Sequence, residues 1–487
     1  RTLCMNDTIL ERSTRYEETV YTVTMPACDV VFRAEFERFI SFAGSGTQGD
    51  PWLVASEADF AELASAVTQY PDAIRGAYFK MKNDVTIADE TFAGIGSAGG
   101  DETKPESMSM TPFSGIFDGD GHTVMLALSG TTYVGLFRAN TGTVKNLTVA
   151  GTVSGGSKNV GGVVGYNCGG TVENCVNKAV LSASGTSSYH YGGVVGYSYG
   201  GTIRNCTNLA PLSFVSVHTV GGIVGYAGYD VLIEECINGA EDEGQAGAVT
   251  GSYELGGIVG YLGTAATNGG IAKDNTNYAS VTGSGKRVGG IAGVVTGRNS
   301  ITGCNNYGAV TSTLNSTAKD NGGVGGIAGR VYAVTISDCR NYAAVQNENS
   351  YNTGGILGLT DSDGVMLTNC LNSGKIMGLR LVGGIAGGFG LNGNRPNSVI
   401  ENCTNSGIVN GTDSRVGGIA GMSYGAVVRG CTNSGSVYLN DAPAVAVVGV
   451  SSGYLGQLVG YNTSAAHCYV EGGYYKGTEF TDTSASA

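Results

Sequence analysis

The stretch VGGVVGY at residues 160–166 decides the fold, because it returns nine times along the chain. It recurs as YGGVVGY at 191–197, VGGIVGY at 220–226, LGGIVGY at 255–261, VGGIAGV at 288–294 and VGGIAGR at 324–330. It then reads TGGILGL at 353–359, VGGIAGG at 382–388, VGGIAGM at 416–422 and, in degenerate form, LGQLVGY at 455–461. Successive copies begin 31, 29, 35, 33, 36, 29, 29, 34 and 39 residues apart. Self-similarity at that period is the mark of a solenoid, which grows along one axis and escapes the size rules of globular domains.

A second phrase follows each copy: a β-branched residue or Leu, two variable residues, Cys, any residue, Asn. It is TVENCVN around Cys175, TIRNCTN around Cys206, LIEECIN around Cys236 and SITGCNN around Cys304. It continues around Cys339, Cys370, Cys403 and Cys431, and one repeat places Asn275 where the Cys should be. Each unit therefore holds three short Val/Ile-rich runs parted by Gly, Asn and Ser, with no ten-residue helical period. Three strands per unit predict one triangular coil of an all-β, right-handed parallel β-helix. About 12 coils at about 4.8 Å make a rod of about 60 Å. The Ile/Val column from 163 to 419 stacks through the core, and the paired glycines permit close corners. The Asn two after each Cys, Asn177 through Asn433, is expected at a left-handed turn position and in an axial hydrogen-bond ladder.

Composition agrees. The chain has 487 residues, 82 of them Gly, with 41% hydrophobic and only 14% charged residues. A disordered Gly-rich chain would lack that apolar content. The formal charge of −13 leaves no basic footprint, so no nucleic-acid partner is expected. No apolar run is long enough for a membrane span. The chain opens at Arg1 without Met, so export signals and anchors are expected in flanking segments. None of the 12 cysteines forms C-x-x-C, so they are read as repeat-core thiols and no metal or cofactor is expected. Free thiols are expected in the column, because parallel in-register strands hold neighbouring Cβ atoms too far apart for a disulfide.

The organisation reads as follows. Residues 1–40 form part of a small β module, with strands at VYTVTM and VVFRAEF around a turn at Pro26–Asp29. Residues 41–75 hold a linker and an amphipathic capping helix over 56–68, with Ser56 and Asp59 as an acidic capping box. Residues 76–150 make divergent first coils, 151–470 the regular repeats, and 471–487 a C-terminal strand and tail. The helix is expected to cover the open N-terminal end through Phe60, Leu63 and Val67.

The repeats resemble the GLUG-motif family of bacterial surface proteins through VGG(I/V)(V/A)G, FSGIFDGDGHTV at 113–124 and GSGTQGDPWLVASEADFAELA before it. VYTVTMPACDVVFRAEFE resembles the last strands of internalin-B-repeat-like modules. The resemblance implies export to an extracellular or bacterial cell-surface setting, and no single activity. Some relatives carry a metallopeptidase domain whose H-e-x-x-H-type zinc motif is missing here.

Chemistry is sparse. Asp118, Asp120 and His122 in FDGDGH are the one acidic cluster with a catalytic look, and they fit a tight turn better; Asp361 and Asp363 fit loops. No catalytic residue is assigned. The informative variation is the residue closing each VGG phrase: Tyr166, Tyr197, Tyr226 and Tyr261, then Val294, Arg330, Leu359, Gly388 and Met422, then Tyr461. A column that changes size so freely is expected to meet solvent or a loop. Tyr166, Tyr197, Tyr226 and Tyr261, with Tyr189 and His190, are therefore the expected ligand-binding platform. The function expected is a non-enzymatic stalk or adhesion module that binds host or environmental glycans or proteins. The alternatives are a carbohydrate-active β-helix enzyme and a filament subunit with an uncapped C-terminal coil.

Overall fold

A computed structural model describes residues 41–185, 189–242, 246–263, 269–316, 322–390, 395–444, 454–462, 470–471, 473–475 and 478–480, plus five strands before residue 36. The chain divides into two compact units, Arg1–Ala43 and Gly44–Ala487. In the first, Thr2–Met5 pairs antiparallel with Thr8–Ile9 and with Phe32–Glu35, and Arg12–Arg15 pairs with Glu18–Tyr21. Phe32–Glu35 lies within the expected run VVFRAEF, and Glu18–Tyr21 shares Val20 and Tyr21 with VYTVTM; the rest of that run and the turn at Pro26–Asp29 lie outside the described residues.

The second unit is a parallel β-solenoid with one coil per repeat. Val172 pairs with Ile203, Ile203 with Ile233, Ile233 with Ala272, and so on to Val428, in a sheet of 14 strands. The strand after each VGG corner builds a second sheet of 11 strands, and the rest of each coil builds the third. Register follows from the period of two: one residue of slip would turn the whole Val/Ile column outward. The expected Val/Ile column is fully buried from Val163 to Ile419. Its amides climb the axis, Val163 N to Val194 O at 3.1 Å and Val194 N to Ile223 O at 3.0 Å.

The asparagines form the expected ladder but not at the expected backbone conformation. Asn177 Nδ2 donates to Asn208 Oδ1 at 2.8 Å, Asn208 to Asn238 at 2.9 Å, and the chain of bonds continues unbroken to Asn433. Asn433 closes it on Gln457 O at 2.9 Å. All nine are fully buried. They lie in short strands such as Val176–Asn177, so the left-handed assignment is corrected. The left-handed residue is the one before the Cys: Asn174, Asn205, Glu235, Asp274, Asp338, Asn369 and Asn402, with φ between 51° and 56°, and Gly303 and Gly430. The Asn has a different task. Its second Nδ2 hydrogen reaches its own coil, as Asn306 does to Gly308 O at 2.9 Å, so each amide staples a turn and joins two coils.

The two repeating phrases meet at this ladder. A Cβ added at Gly193 would lie 2.5 Å from both Cγ and Oδ1 of Asn208. The second Gly of each VGG is thus required by close approach to the ladder. Beside it, the Cys thiols donate to carbonyls: Cys206 Sγ lies 3.3 Å from Arg204 O and 3.5 Å from Val172 O one coil earlier. That polar slot explains Asn275, which donates to Ile233 O and accepts from Cys236 N, both at 2.9 Å. Cys175 to Cys431 are buried free thiols, and Cys168 is free and half-buried.

The N-terminal cap forms as expected. α1 (Glu57–Gln69) starts at Ser56, whose side chain accepts from Asp59 N, while Asp59 Oδ2 accepts from Ala55 N at 2.8 Å. Phe60, Leu63 and Val67 are buried, and Phe60 meets Phe117 at 5.9 Å between ring centres. At the other end, Gly473–Tyr475 pairs parallel with Thr432–Asn433 and antiparallel with Thr478–Phe480. Among the described residues, the third sheet thus ends on an antiparallel strand, while the other two end on the parallel strands Val459–Asn462 and Val470–Glu471.

Two outcomes follow. Asn306→Ala leaves the Asn277 donor and the Asn341 acceptor unpaired in a dry core and should cost about 2–4 kcal/mol, read as a lower urea midpoint. An unchanged midpoint would show that the ladder holds nothing. Thiol titration in denaturant without reductant should count at least the eight column cysteines; a count near zero would mean cross-linked coils.

Candidate functional site

The acidic cluster singled out from sequence is committed to structure. Asp118 accepts from Asp120 N and from Asn146 Nδ2, both at 2.9 Å, and lies 3.6 Å from Lys145 Nζ. Asp120 pairs with Lys80 at 3.0 Å, and His122 with Asp84 at 3.3 Å. Asp361 pairs with Arg330 at 3.0 Å, and Asp363 accepts from Asn397. No group of metal-ligating residues exists among the described residues.

The tyrosine column is different from the expected open platform. At the VGG corner the strand before the glycines and the strand after them run side by side, so two residue columns face each other on the outside of the coil. One column holds Tyr133, Asn159, His190, Thr219, Glu254 and Arg287; the other holds Tyr166, Tyr197, Tyr226 and Tyr261. Tyr166 and Tyr197 are fully buried there, against the expectation of exposure. The cause is the segment 97–111, which forms a hairpin, Ser97–Gly99 with Ser109–Thr111, and covers them with Ala98, Met108 and Met110. Tyr133 OH donates to Gly100 O at 2.9 Å and Tyr166 OH to Glu102 O at 3.2 Å. Burial raises the Glu102 carboxyl pKa, but Lys158 bonded to it outweighs this and lowers it overall. Burial raises the phenol pKa values of Tyr133, Tyr166 and Tyr197.

Stacking also changes what the tyrosines further along this column offer. Tyr197, Tyr226 and Tyr261 stack with centroids 4.9 and 4.8 Å apart and planes within 8°. Tyr226 thus spends both ring faces on its neighbours. A sugar needs a free face.

Free aromatic surface lies one column further out. Tyr189, exposed at 41%, stacks on His218 at 4.4 Å, and His218 stacks on Tyr253 at 4.4 Å with planes 4° apart. Sequence reading found Tyr189 and missed His218 and Tyr253. Strand register supplies them, since Tyr191 pairs with Val220 and Thr219 with Glu254. The next rung replaces the ring with Lys286, as Glu254 pairs with Arg287. Tyr253 is 40% exposed, and beyond it the column carries no ring until Tyr351. Alongside runs a depression of about 450 Å³, lined by Val215, Ser216, His218, Ser252, Tyr253, Ser284, Lys286 and Leu314. These residues come from four successive coils, so the groove follows the axis. Val215 is 93% exposed.

Glu254 is the carboxylate next to the groove. Burial raises its pKa despite Arg287, which it binds at 2.7 Å. His190 bridges seam and groove: its ring meets Tyr197 at 5.5 Å and Tyr226 at 4.7 Å, and its Nδ1 is buried without a partner. Burial pushes its pKa down from 6.5 to about 4.

The folded chain therefore binds fewer protons at His190 than the unfolded chain between those values. Stability is full above about pH 6.5 and falls as pH drops toward about 4, by at most about 3 kcal/mol from this residue. His190→Asn, which suits the left-handed φ of 62°, should flatten that slope in urea midpoints taken at pH 7 and 4.5. An equal slope in both proteins would remove His190 as the cause.

The sequence matches the family described as the GLUG motif over residues 187–210. No curated protein matches the chain significantly. Among solved structures, a putative immunoglobulin A1 protease from Bacteroides ovatus aligns over 89% of this chain and 86% of its own, at 17% identity and a TM-score of 0.25. The A-module of mannuronan C-5 epimerase AlgE4 from Azotobacter vinelandii aligns over 79% and 96%, at 12% identity and a TM-score of 0.35. The surface adhesin PfbA of Streptococcus pneumoniae aligns over 89% of each chain, at 8% identity and a TM-score of 0.28. Likeness at these values assigns no activity. With the recurring VGG phrase, the family match and the one-coil register in agreement, the chain carries a GLUG motif at residues 187–210 within a parallel β-solenoid body.

Proposed function

We propose that this solenoid is a non-enzymatic, cell-surface or secreted binding module, and that it holds a glycan chain along the Tyr189–His218–Tyr253 groove. The observation that carries the reading is the groove itself: an exposed aromatic stack beside a channel that crosses four coils. Sugar rings combine apolar C–H faces with a rim of hydroxyls. Tyr253 supplies an exposed ring at the end of the stack, and Ser216, Ser252 and Ser284 supply hydroxyls beside it. Rungs stand about 4.8 Å apart, so a chain lying along the axis would pass successive coils at that spacing.

A hydrolase would place two carboxylates about 5–10 Å apart across such a groove. Among the described residues the groove lining has none, and neighbouring Glu254 is committed to Arg287. This favours binding over cleavage. No helix among the described residues is long and apolar enough to cross a membrane.

A glycan array and a mucin panel probed with the whole chain should give binding that Tyr253→Ala weakens by about 2 kcal/mol, roughly thirtyfold in Kd. Tyr342→Ala, in the separate exposed stack Tyr278–Tyr307–Tyr342, serves as control and should leave it unchanged. Equal binding by the Tyr253 variant would overturn the groove assignment, and release of new reducing ends would overturn the non-enzymatic reading.

A further inference from the structure

The C-terminal part of the same seam holds two arginines, Arg380 and Arg415, with no carboxylate within hydrogen-bond distance among the described residues, unlike four others on the solenoid. Arg204 pairs with Glu173 at 2.7 Å, Arg287 with Glu254 at 2.7 Å, Arg330 with Asp361 at 3.0 Å and Arg429 with Glu401 at 2.7 Å. Arg380 and Arg415 stand on adjacent rungs, since Arg380 pairs with Ser414 and Val382 with Val416. The one carboxylate near them among the described residues is Asp413, 3.9 Å from Arg380 Nε and beyond hydrogen-bond reach. The Nε–H groups of both arginines are buried without an acceptor.

Their surroundings are aromatic. Arg415 lies over the Tyr461 ring at 4.6 Å, with Nη1 3.7 Å from Met422 Sδ. Arg380 lies over the Tyr351 ring at 5.4 Å and donates from Nη1 to Tyr351 OH at 3.4 Å. Beneath them, Leu359, Leu381 and Met422 form an apolar floor with Tyr351, Tyr424 and Tyr461 packed against it. A buried Nε–H without an acceptor is costly, and two like charges on neighbouring rungs add to the cost. Burial, and then the charge of Arg380, lower the Arg415 pKa. An incoming anion would relieve both.

We propose that Arg380 and Arg415 form a binding site for a carboxylate or sulfate group of an acidic sugar, with the sugar ring lying against the surrounding tyrosines. Planar guanidinium forks match both anions through paired hydrogen bonds. Arg380 occupies the residue column that carries Tyr189, His218, Tyr253 and Lys286 further up, so the site continues the groove line. The sugar part of the inference rests on the glycan-binding reading above; the anion site stands without it.

The test is isothermal titration of the whole chain at low salt with sodium glucuronate, sodium sulfate and neutral glucose. Glucuronate and sulfate should bind and glucose should not. Arg415→Gln, and independently Arg380→Gln, should weaken both anions at least tenfold. Asp413→Asn removes the competing carboxylate and should tighten them severalfold, an outcome that a purely structural ion pair does not produce. Tyr253→Ala should leave anion binding unchanged, which separates failure of this site from failure of the groove. No anion heat in the wild-type chain, or equal binding after Arg415→Gln, would overturn the site. Sulfate binding without glucuronate would overturn the sugar assignment.

Discussion

The buried asparagine ladder is the constraint from which the rest of this solenoid follows. Each side-chain amide has donors and an acceptor that must be satisfied away from water, and its partners are the neighbouring asparagines and the backbone of its own turn. A line of such amides fixes the coils at one spacing and one register. It also takes up the volume beside the VGG corner, so the second glycine there has no room for a Cβ. The two phrases repeat together because they are two sides of one contact.

With the register held from inside, the outside is free to vary. The column before each VGG passes from His190 through Glu254 and Arg287 to Leu381 and Arg415, while the backbone beneath it keeps its pairing. Loop lengths differ between repeats for the same reason: a loop at a corner costs the ladder nothing. The result is a rigid scaffold that aligns unrelated side chains in columns, one per rung. Two stretches of that seam gather aromatic and cationic side chains, the groove around Tyr253 and the pair around Arg415.

Much of this was legible in the sequence. The period, the VGG and Cys-x-Asn phrases and the capping signal at Ser56 carry the fold, the ladder and α1, because each is a local pattern with a single packing solution. What stayed hidden depended on register between distant residues. His218 and Tyr253 lie 29 and 64 residues beyond Tyr189, inside loops of unequal length, and only strand pairing brings the three rings into one stack. Tyr166 was misread as exposed because its cover, the hairpin at 97–111, is an insertion outside the repeat. The left-handed residue was placed at the Asn because Asn favours that region. The ladder overrides that preference, and the turn falls to the residue before the Cys, whose side chain points to solvent at Asn205 and Asn402.

The central claim is that nine asparagine amides are bonded to one another in a dry line along the axis. Hydrogen exchange of side-chain amides, followed by NMR on the chain labelled at asparagine, reads this directly. The account predicts that Asn177, Asn208, Asn238, Asn277, Asn306, Asn341, Asn372, Asn405 and Asn433 exchange orders of magnitude more slowly than exposed Asn402. Exchange of these nine at the rate of Asn402 would contradict it.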